Sequence, residues 1–119
     1  MKTALIIEDN ENNLELISFI LQHNGFQTLA AETGQKGIEK ALNERPDFII
    51  LDIQLPDMEG TKVLDQIRLA GGEMPVIAMT SYAMTGDREK LLAAGCNGYI
   101  EKPIDPERVV VQINAVIGE

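Results

Sequence analysis

Two short apolar runs that do not alternate, Leu5-Ile6-Ile7 and Ile49-Ile50-Leu51, limit what this chain can fold into more than any other feature. A strand with one wet face alternates apolar and polar residues, so unbroken runs of this kind fit central parallel strands buried on both faces. Parallel neighbours need a crossover between them, and the sequence supplies helical periodicity at the required intervals. Ala4 to Ile7 reads as the first strand, and Leu14, Ile17, Ile20 and Leu21 then recur at helix spacing until Asn24-Gly25. Phe26 to Ala30 is a weaker strand, Ile38, Ala41 and Leu42 mark a helix, and Phe48 to Leu51 is the next buried strand. Val63, Leu64 and Ile67 carry a third helix that Gly71-Gly72 ends, followed by a strand from Pro75 to Met79. A helix around Leu91 to Ala94 closes at Gly95, Gly98 to Ile100 is the last strand, and Val109, Val110, Ile113, Val116 and Ile117 line the last helix. Five strand–helix repeats with short links predict an α/β, doubly wound parallel sheet covered on both faces.

A length of 119 residues fits one domain spanning 1–119 and leaves no room for a second, output domain. The net charge of −9 disfavours nonspecific attraction to nucleic acid or to an anionic membrane. No apolar run approaches a membrane span, and Thr3 to Ile7 is stopped too soon by Glu8-Asp9 for a signal peptide. A cytoplasmic protein is expected. The single cysteine, Cys96, rules out an internal disulfide and reads as a small core hydrophobe. His23, the one histidine, reads as a surface residue, because a metal cluster or catalytic triad has no second histidine to draw on.

In open α/β sheets, ligands bind beyond the carboxyl ends of the strands, so the residues closing each strand are the informative ones. Glu8 and Asp9 follow the first strand, Asp52 the third, Thr80 and Ser81 the fourth, and Lys102-Pro103 the fifth. With the first, third and fourth strands as neighbours, three carboxylates, a hydroxyl and an ammonium converge on one crevice. Carboxylates held together repel unless a cation offsets them, and oxygen-only ligands suit magnesium, with manganese as the alternative. Lys102 and Thr80 add donors for an anion, which together describe a phosphoryl site. Alone, Glu8-Asp9 reads more readily as a solvated turn capping the next helix, with Asn10 and Asn12 as rival caps, and Thr80-Ser81 or Lys102-Pro103 as any strand end or loop. Asp52 is harder to dismiss, since a carboxylate beside four apolar residues needs a partner.

At these residues the sequence resembles the receiver domain of two-component response regulators. "LIIEDN" is similar to that family's acidic pair, "FIILDIQLPDMEG" to its phosphoacceptor motif, "VIAMTSYAM" to its switch-hydroxyl strand and "GYIEKPI" to its lysine–proline motif. The resemblance covers essentially the whole chain. It implies a flavodoxin-like sheet of order 2-1-3-4-5 with five helices. It also implies a phosphorelay protein rather than an enzyme with a separate substrate, one that accepts a phosphoryl group from a phosphohistidine onto Asp52. Asp9, Asp52 and the Gln54 backbone carbonyl would then ligate magnesium directly, with Glu8 acting through water. Lys102 would offset phosphoryl charge, and the Lys102–Pro103 peptide would be cis.

Thr80 and Tyr99 would act as the switch pair that alters the surface of the fourth helix, fifth strand and fifth helix, although Tyr99 alone reads equally as a packing residue. Gln54 and Tyr82 would set the lifetime of the acyl phosphate. Expected partners are a sensor histidine kinase or histidine phosphotransfer protein and a downstream target protein, with no nucleic acid and no membrane. "TSYAMTGD" and the missing output domain are similar to single-domain cell-division regulators and to receivers attached to hybrid kinases. The polar, glycine-containing stretch Thr85-Gly86-Asp87-Arg88 leaves the start of the fourth helix open.

Three rival readings fit less well. A haloacid dehalogenase-type phosphatase needs a general-acid aspartate two positions after its nucleophile, where this chain has Gln54. A flavin carrier of the same fold needs a phosphate-cradling first loop, which Glu8-Asp9-Asn10-Glu11 would repel, and aromatic residues are only 4% with no tryptophan. A docking module that never takes phosphate is disfavoured because every reactive position is filled.

Overall fold

The computed structural model describes residues 1–81 and 85–118, the side chains of 85–88 excepted. Strands and helices alternate along the chain: β1 (Thr3–Ile7), α1 (Glu11–His23), β2 (Gln27–Ala31), α2 (Gly34–Glu44), β3 (Phe48–Asp52), α3 (Gly60–Leu69), β4 (Val76–Thr80), α4 (Thr85–Ala93), β5 (Gly98–Glu101) and α5 (Pro106–Ile117). The strands form one sheet of order β2-β1-β3-β4-β5, with every pairing parallel.

The absence of alternation in the central strands has the cause the sequence suggested. Leu5, Ile7, Ile49, Leu51, Val76 and Ala78 point to one face, where Ile38 and Ala41 of α2, Val63, Leu64 and Ile67 of α3, and Leu91 of α4 cover them. Ala4, Ile6, Phe48, Ile50, Ile77 and Met79 point to the other, against Ile17, Ile20 and Leu21 of α1 and Val109 and Ile113 of α5. Both faces are thus apolar, and each fully buried Ile or Leu side chain contributes about 1.5–3 kcal/mol. Asn10 caps α1: its side chain accepts from Asn13 N at 3.0 Å, which settles the choice between Asn10 and Asn12 as cap.

Three strand starts differ from the sequence expectation by one residue: β1 opens at Thr3, one residue before Ala4, and β2 and β4 open one residue later than expected. Phe26 N donates to Leu21 O at 3.0 Å, so Phe26 completes the end of α1 instead of opening β2. The ladder starts with Gln27, whose N–H donates to Lys2 O at 2.9 Å. Phe26 itself lies buried, edge-on to Phe48 at 5.5 Å between ring centroids. Pro75 has no N–H to give the ladder, so β4 begins at Val76, while Pro75 O still accepts from Ile49 N at 2.9 Å.

Among the described residues no helix is long and apolar enough to cross a membrane. The register sets Ile7 beside Leu51 and Asp52 beside Met79, so the ends of β1, β3 and β4 form a common rim. Thr80 lies opposite Glu101 at the end of β5, which brings Lys102 to the same rim.

Candidate functional site

Among the described residues, three polar or charged side chains are buried, and all three stand at this rim: Glu8, Asp52 and Thr80, at 0%, 3% and 5% exposure. Burial of a charge without a partner is costly, so their concentration at one end of the sheet calls for chemistry that uses them. Glu8 N donates to Ala31 O at 3.0 Å, which carries the sheet hydrogen bonding one residue beyond β1 and holds Glu8 in place. Asp52 is the last residue of β3, and its Oδ1 accepts from Gln54 N at 3.0 Å.

Lys102 joins the two acids. Its Nζ lies 3.0 Å from Glu8 Oε1 and 3.3 Å from Asp52 Oδ2. Lys102 N donates to Thr80 O at 2.8 Å, and the Lys102–Pro103 peptide is cis. Burial alone would pull the Lys102 ammonium down, yet its bond to Glu8 and the charge of Asp52 hold its pKa above the ordinary value. Glu8 moves the other way from its usual range: burial first, then the neighbouring Asp52 carboxyl, push it up to about 7 against the pull of Lys102.

One ammonium is insufficient for this cluster. Oxygens of Glu8, Asp9 and Asp52 all lie within 4.8 Å of one another, and Glu8 Oε2 is buried with no hydrogen-bond partner among the described residues. An all-oxygen set with a spare buried carboxylate oxygen fits a hard divalent cation. Asp9, unlike Glu8, is exposed, and opens the cluster to solvent. The reading of Glu8-Asp9 as a wholly solvated turn therefore fails for Glu8.

The other expected residues are distributed around this centre. Gln54 has an exposed side chain and forms an isolated antiparallel bridge with Glu59. Thr80 and Gln54 line a groove of about 410 Å³ together with Ile53, Glu59, Lys90 and Leu91. Tyr99 is half-buried, packs against the core, and its hydroxyl donates to Glu101 Oε1 at 2.7 Å. A second groove, about 490 Å³, runs between β5 and α5 past Tyr99, Lys102, Pro103, Arg108 and Gln112. Tyr82 lies outside the described residues, and α4 starts at Thr85. Away from the rim, His23 is exposed and stacks on Phe19, and Cys96 is buried with its thiol pushed up to about 11 by burial.

Sequence reasoning missed Asp57, whose carboxylate accepts from Gly34 N at 2.7 Å and Gln35 N at 3.0 Å at the start of α2. It also missed Arg68, which donates to Met74 O at 2.7 Å and Asn97 Oδ1 at 3.1 Å and ties the loop before β4 to the loop before β5. Neither carried a readable signal: the Asp57 partners lie 22 and 23 residues away, and those of Arg68 are loop carbonyls 4 and 6 residues on and a side chain 29 residues on.

A family model for the response regulator receiver domain matches residues 4–114. This chain belongs to that family. The receiver is 36% identical over 124 residues to the polar-differentiation response regulator DivK of Brucella anthropi, covering 99% of this chain and 98% of the relative. A CheY-like receiver domain protein from Methanospirillum hungatei superimposes with a TM-score of 0.91 at 32% identity, covering 99% of this chain and 94% of that one. The receiver domain of sensor histidine kinase PA1611 from Pseudomonas aeruginosa, solved with a magnesium ion coordinated in its active-site cleft, gives 0.90 at 31% identity, with 99% and 98% covered. The receiver is thus a phosphorelay signalling protein of the response-regulator type, with the flavodoxin-like order expected from its motifs.

Proposed function

We propose that this receiver, with 1–119 acting as one unit, accepts a phosphoryl group from a phosphohistidine onto Asp52. The observation that carries the reading is that, among the described residues, the buried polar side chains are Glu8, Asp52 and Thr80, all at one rim, with Lys102 bridging the acids. In the transfer, the donor's N–P bond breaks, an Asp52 carboxylate oxygen forms the new O–P bond, and the imidazole keeps the electron pair. The chain contributes mainly placement. Gln54 N fixes one Asp52 oxygen at 3.0 Å, while Lys102 stands 3.3 Å from the other, ready to offset charge on the incoming group.

Asp9, Asp52 and the Gln54 carbonyl would hold magnesium, or manganese, with Glu8 acting through water. The ion bound there would neutralise phosphoryl oxygens, as fits the coordinated magnesium of the sensor kinase receiver. Thr80, buried at the end of β4, would donate to the phosphoryl group, and Tyr99 would exchange its Glu101 partner for an inward position. The changed α4, β5 and α5 surface would be read by a target protein, and the donor would be a sensor histidine kinase or a histidine phosphotransfer protein. We place the protein in the cytoplasm, without nucleic-acid or membrane binding. It turns over no substrate besides its own acyl phosphate. Gln54 and, by the family resemblance, Tyr82 would set the lifetime of that acyl phosphate.

Intact mass after incubation with acetyl phosphate tests this, with and without magnesium, for wild type and Asp52→Asn. A magnesium-dependent gain of one phosphoryl group in wild type alone is expected. No gain in folded wild type with magnesium, or the same adduct on Asp52→Asn, contradicts it.

A further inference from the structure

The loop that follows Asp52 is closed at its base. Gly60 N donates to Ile53 O at 2.9 Å, Gln54 bridges Glu59, and a Cβ at Gly60 would come within 2.7 Å of Ile53 Cα. Its tip is held from outside by α2. Asp57 accepts from two N–H groups of the first turn of that helix, and Met58 lies so close that a Cβ at Gly34 would fall 2.6 Å from Met58 Cγ. The two bonds to Gly34 and Gln35 hold the Asp57 carboxyl below the ordinary carboxylate range, which keeps it charged against the positive end of the helix.

α2 is in turn joined to the acidic loop after β1. It starts from Thr33, two residues after Ala31, and Ala31 O is the acceptor for Glu8 N at 3.0 Å. The contact at Asp57 therefore closes a ring through Glu8, Ala31, α2, the loop tip, Gln54 and Asp52. This tie adds to the β1–β3 ladder, to the Lys102 bridge between Glu8 and Asp52, and to the packing of Met58 and Val63 against the start of α2.

We propose that Asp57 is a positioning residue for this site, anchoring the loop that carries Gln54 to α2 so that Asp52 and the Gln54 carbonyl keep their geometry with Glu8 and Asp9. The inference rests on the function proposed above. It assigns Asp57 no contact with the ion or the phosphoryl group. α2 has its own local cap, since Thr33 Oγ1 accepts from Lys36 N at 3.2 Å, so helix capping and loop anchoring are separable.

The test is titration of the full chain with magnesium chloride, followed by the Gly34 and Gln54 amide resonances, for wild type, Asp57→Ala, Asp57→Asn and Thr33→Ala. Loss of a group that orients metal ligands weakens metal binding by at least about tenfold, and that loss is expected for Asp57→Ala. Asp57→Asn should fall between, because its amide oxygen can accept from one N–H. Thr33→Ala should bind magnesium within about twofold of wild type. Asp57→Ala binding as tightly as wild type, or Thr33→Ala losing as much as Asp57→Ala, overturns the inference, and Asp57→Asn decides the first point if the alanine variant does not fold. Wild type that binds no magnesium overturns the proposed function, and this inference with it.

Discussion

Replacing Asp52 by asparagine should stabilise the metal-free protein at neutral and higher pH. Glu8 shows why: its carboxyl, held at about 7 instead of 4.5, opposes folding when it is ionised. The folded state grips the Glu8 proton more tightly than the unfolded state, so the stability linked to it is fully present below 4.5 and is lost as pH rises through 7. At pH 8 the whole penalty is about 3 kcal/mol. Burial is its largest cause and survives the substitution, whereas the hydrogen bond and charge of Asp52 come next and are removed. A gain on the order of 1 kcal/mol remains, or about 3–5 °C in Tm for a chain of this size. The lost 3.3 Å ion pair of Asp52 with Lys102 offsets part of the relief and keeps the net gain this small, while Lys102 keeps Glu8 at 3.0 Å and an asparagine oxygen can still accept from Gln54 N. Thermal unfolding by circular dichroism in EDTA should therefore show Asp52→Asn melting above wild type at pH 8, with the gap narrowing at pH 5. Saturating magnesium should raise wild type more than the variant. A variant that melts at or below wild type at pH 8 in EDTA would refute the electrostatic reasoning.

Lys102→Ala removes the ammonium that bridges Glu8 and Asp52 and should slow acyl phosphate formation by about a hundredfold in a mass-spectrometric time course, and a rate within threefold of wild type would exclude that role. Gly37→Ala would place a Cβ 2.5 Å from Ile7 Cδ1, where α2 meets β1, and should cost about 1–3 kcal/mol in urea unfolding; an unchanged midpoint would mean the contact relaxes freely. The Cys96 thiol ionises at about 11 when folded against 9.0 in its ordinary state, so the unfolded chain holds fewer protons between those values and stability should fall as pH rises through them. That fall should be shallower in Cys96→Ala, and equal slopes for the two proteins would contradict it.

The architecture was legible because the physical rule behind it is local. Ile49-Ile50-Leu51 had to be buried on both faces, and residues ending such strands had to meet at one rim. Asp52, Thr80 and Lys102 followed from that rule. The unequal fates of Glu8 and Asp9 did not, although Glu8 N still bonds Ala31 O and so continues the sheet while Asp9 has turned out to solvent. Phe26 was read into a strand because its apolar character does not reveal that its N–H closes the end of α1. Asp57 and Arg68 were beyond sequence reasoning for another reason. Each satisfies backbone groups 23 and 6 residues away, respectively, and nothing in a loop aspartate or a helix-end arginine names such partners before the fold is formed.

Borohydride reduction of the acetyl phosphate-treated protein tests the central claim most directly, because it converts an aspartyl phosphate to homoserine and peptide mass spectrometry then locates it. Homoserine at position 52, formed only with magnesium present, is the expected result. Homoserine at Asp9 or elsewhere, with Asp52 intact, would contradict the assignment of Asp52 as the phosphoryl acceptor.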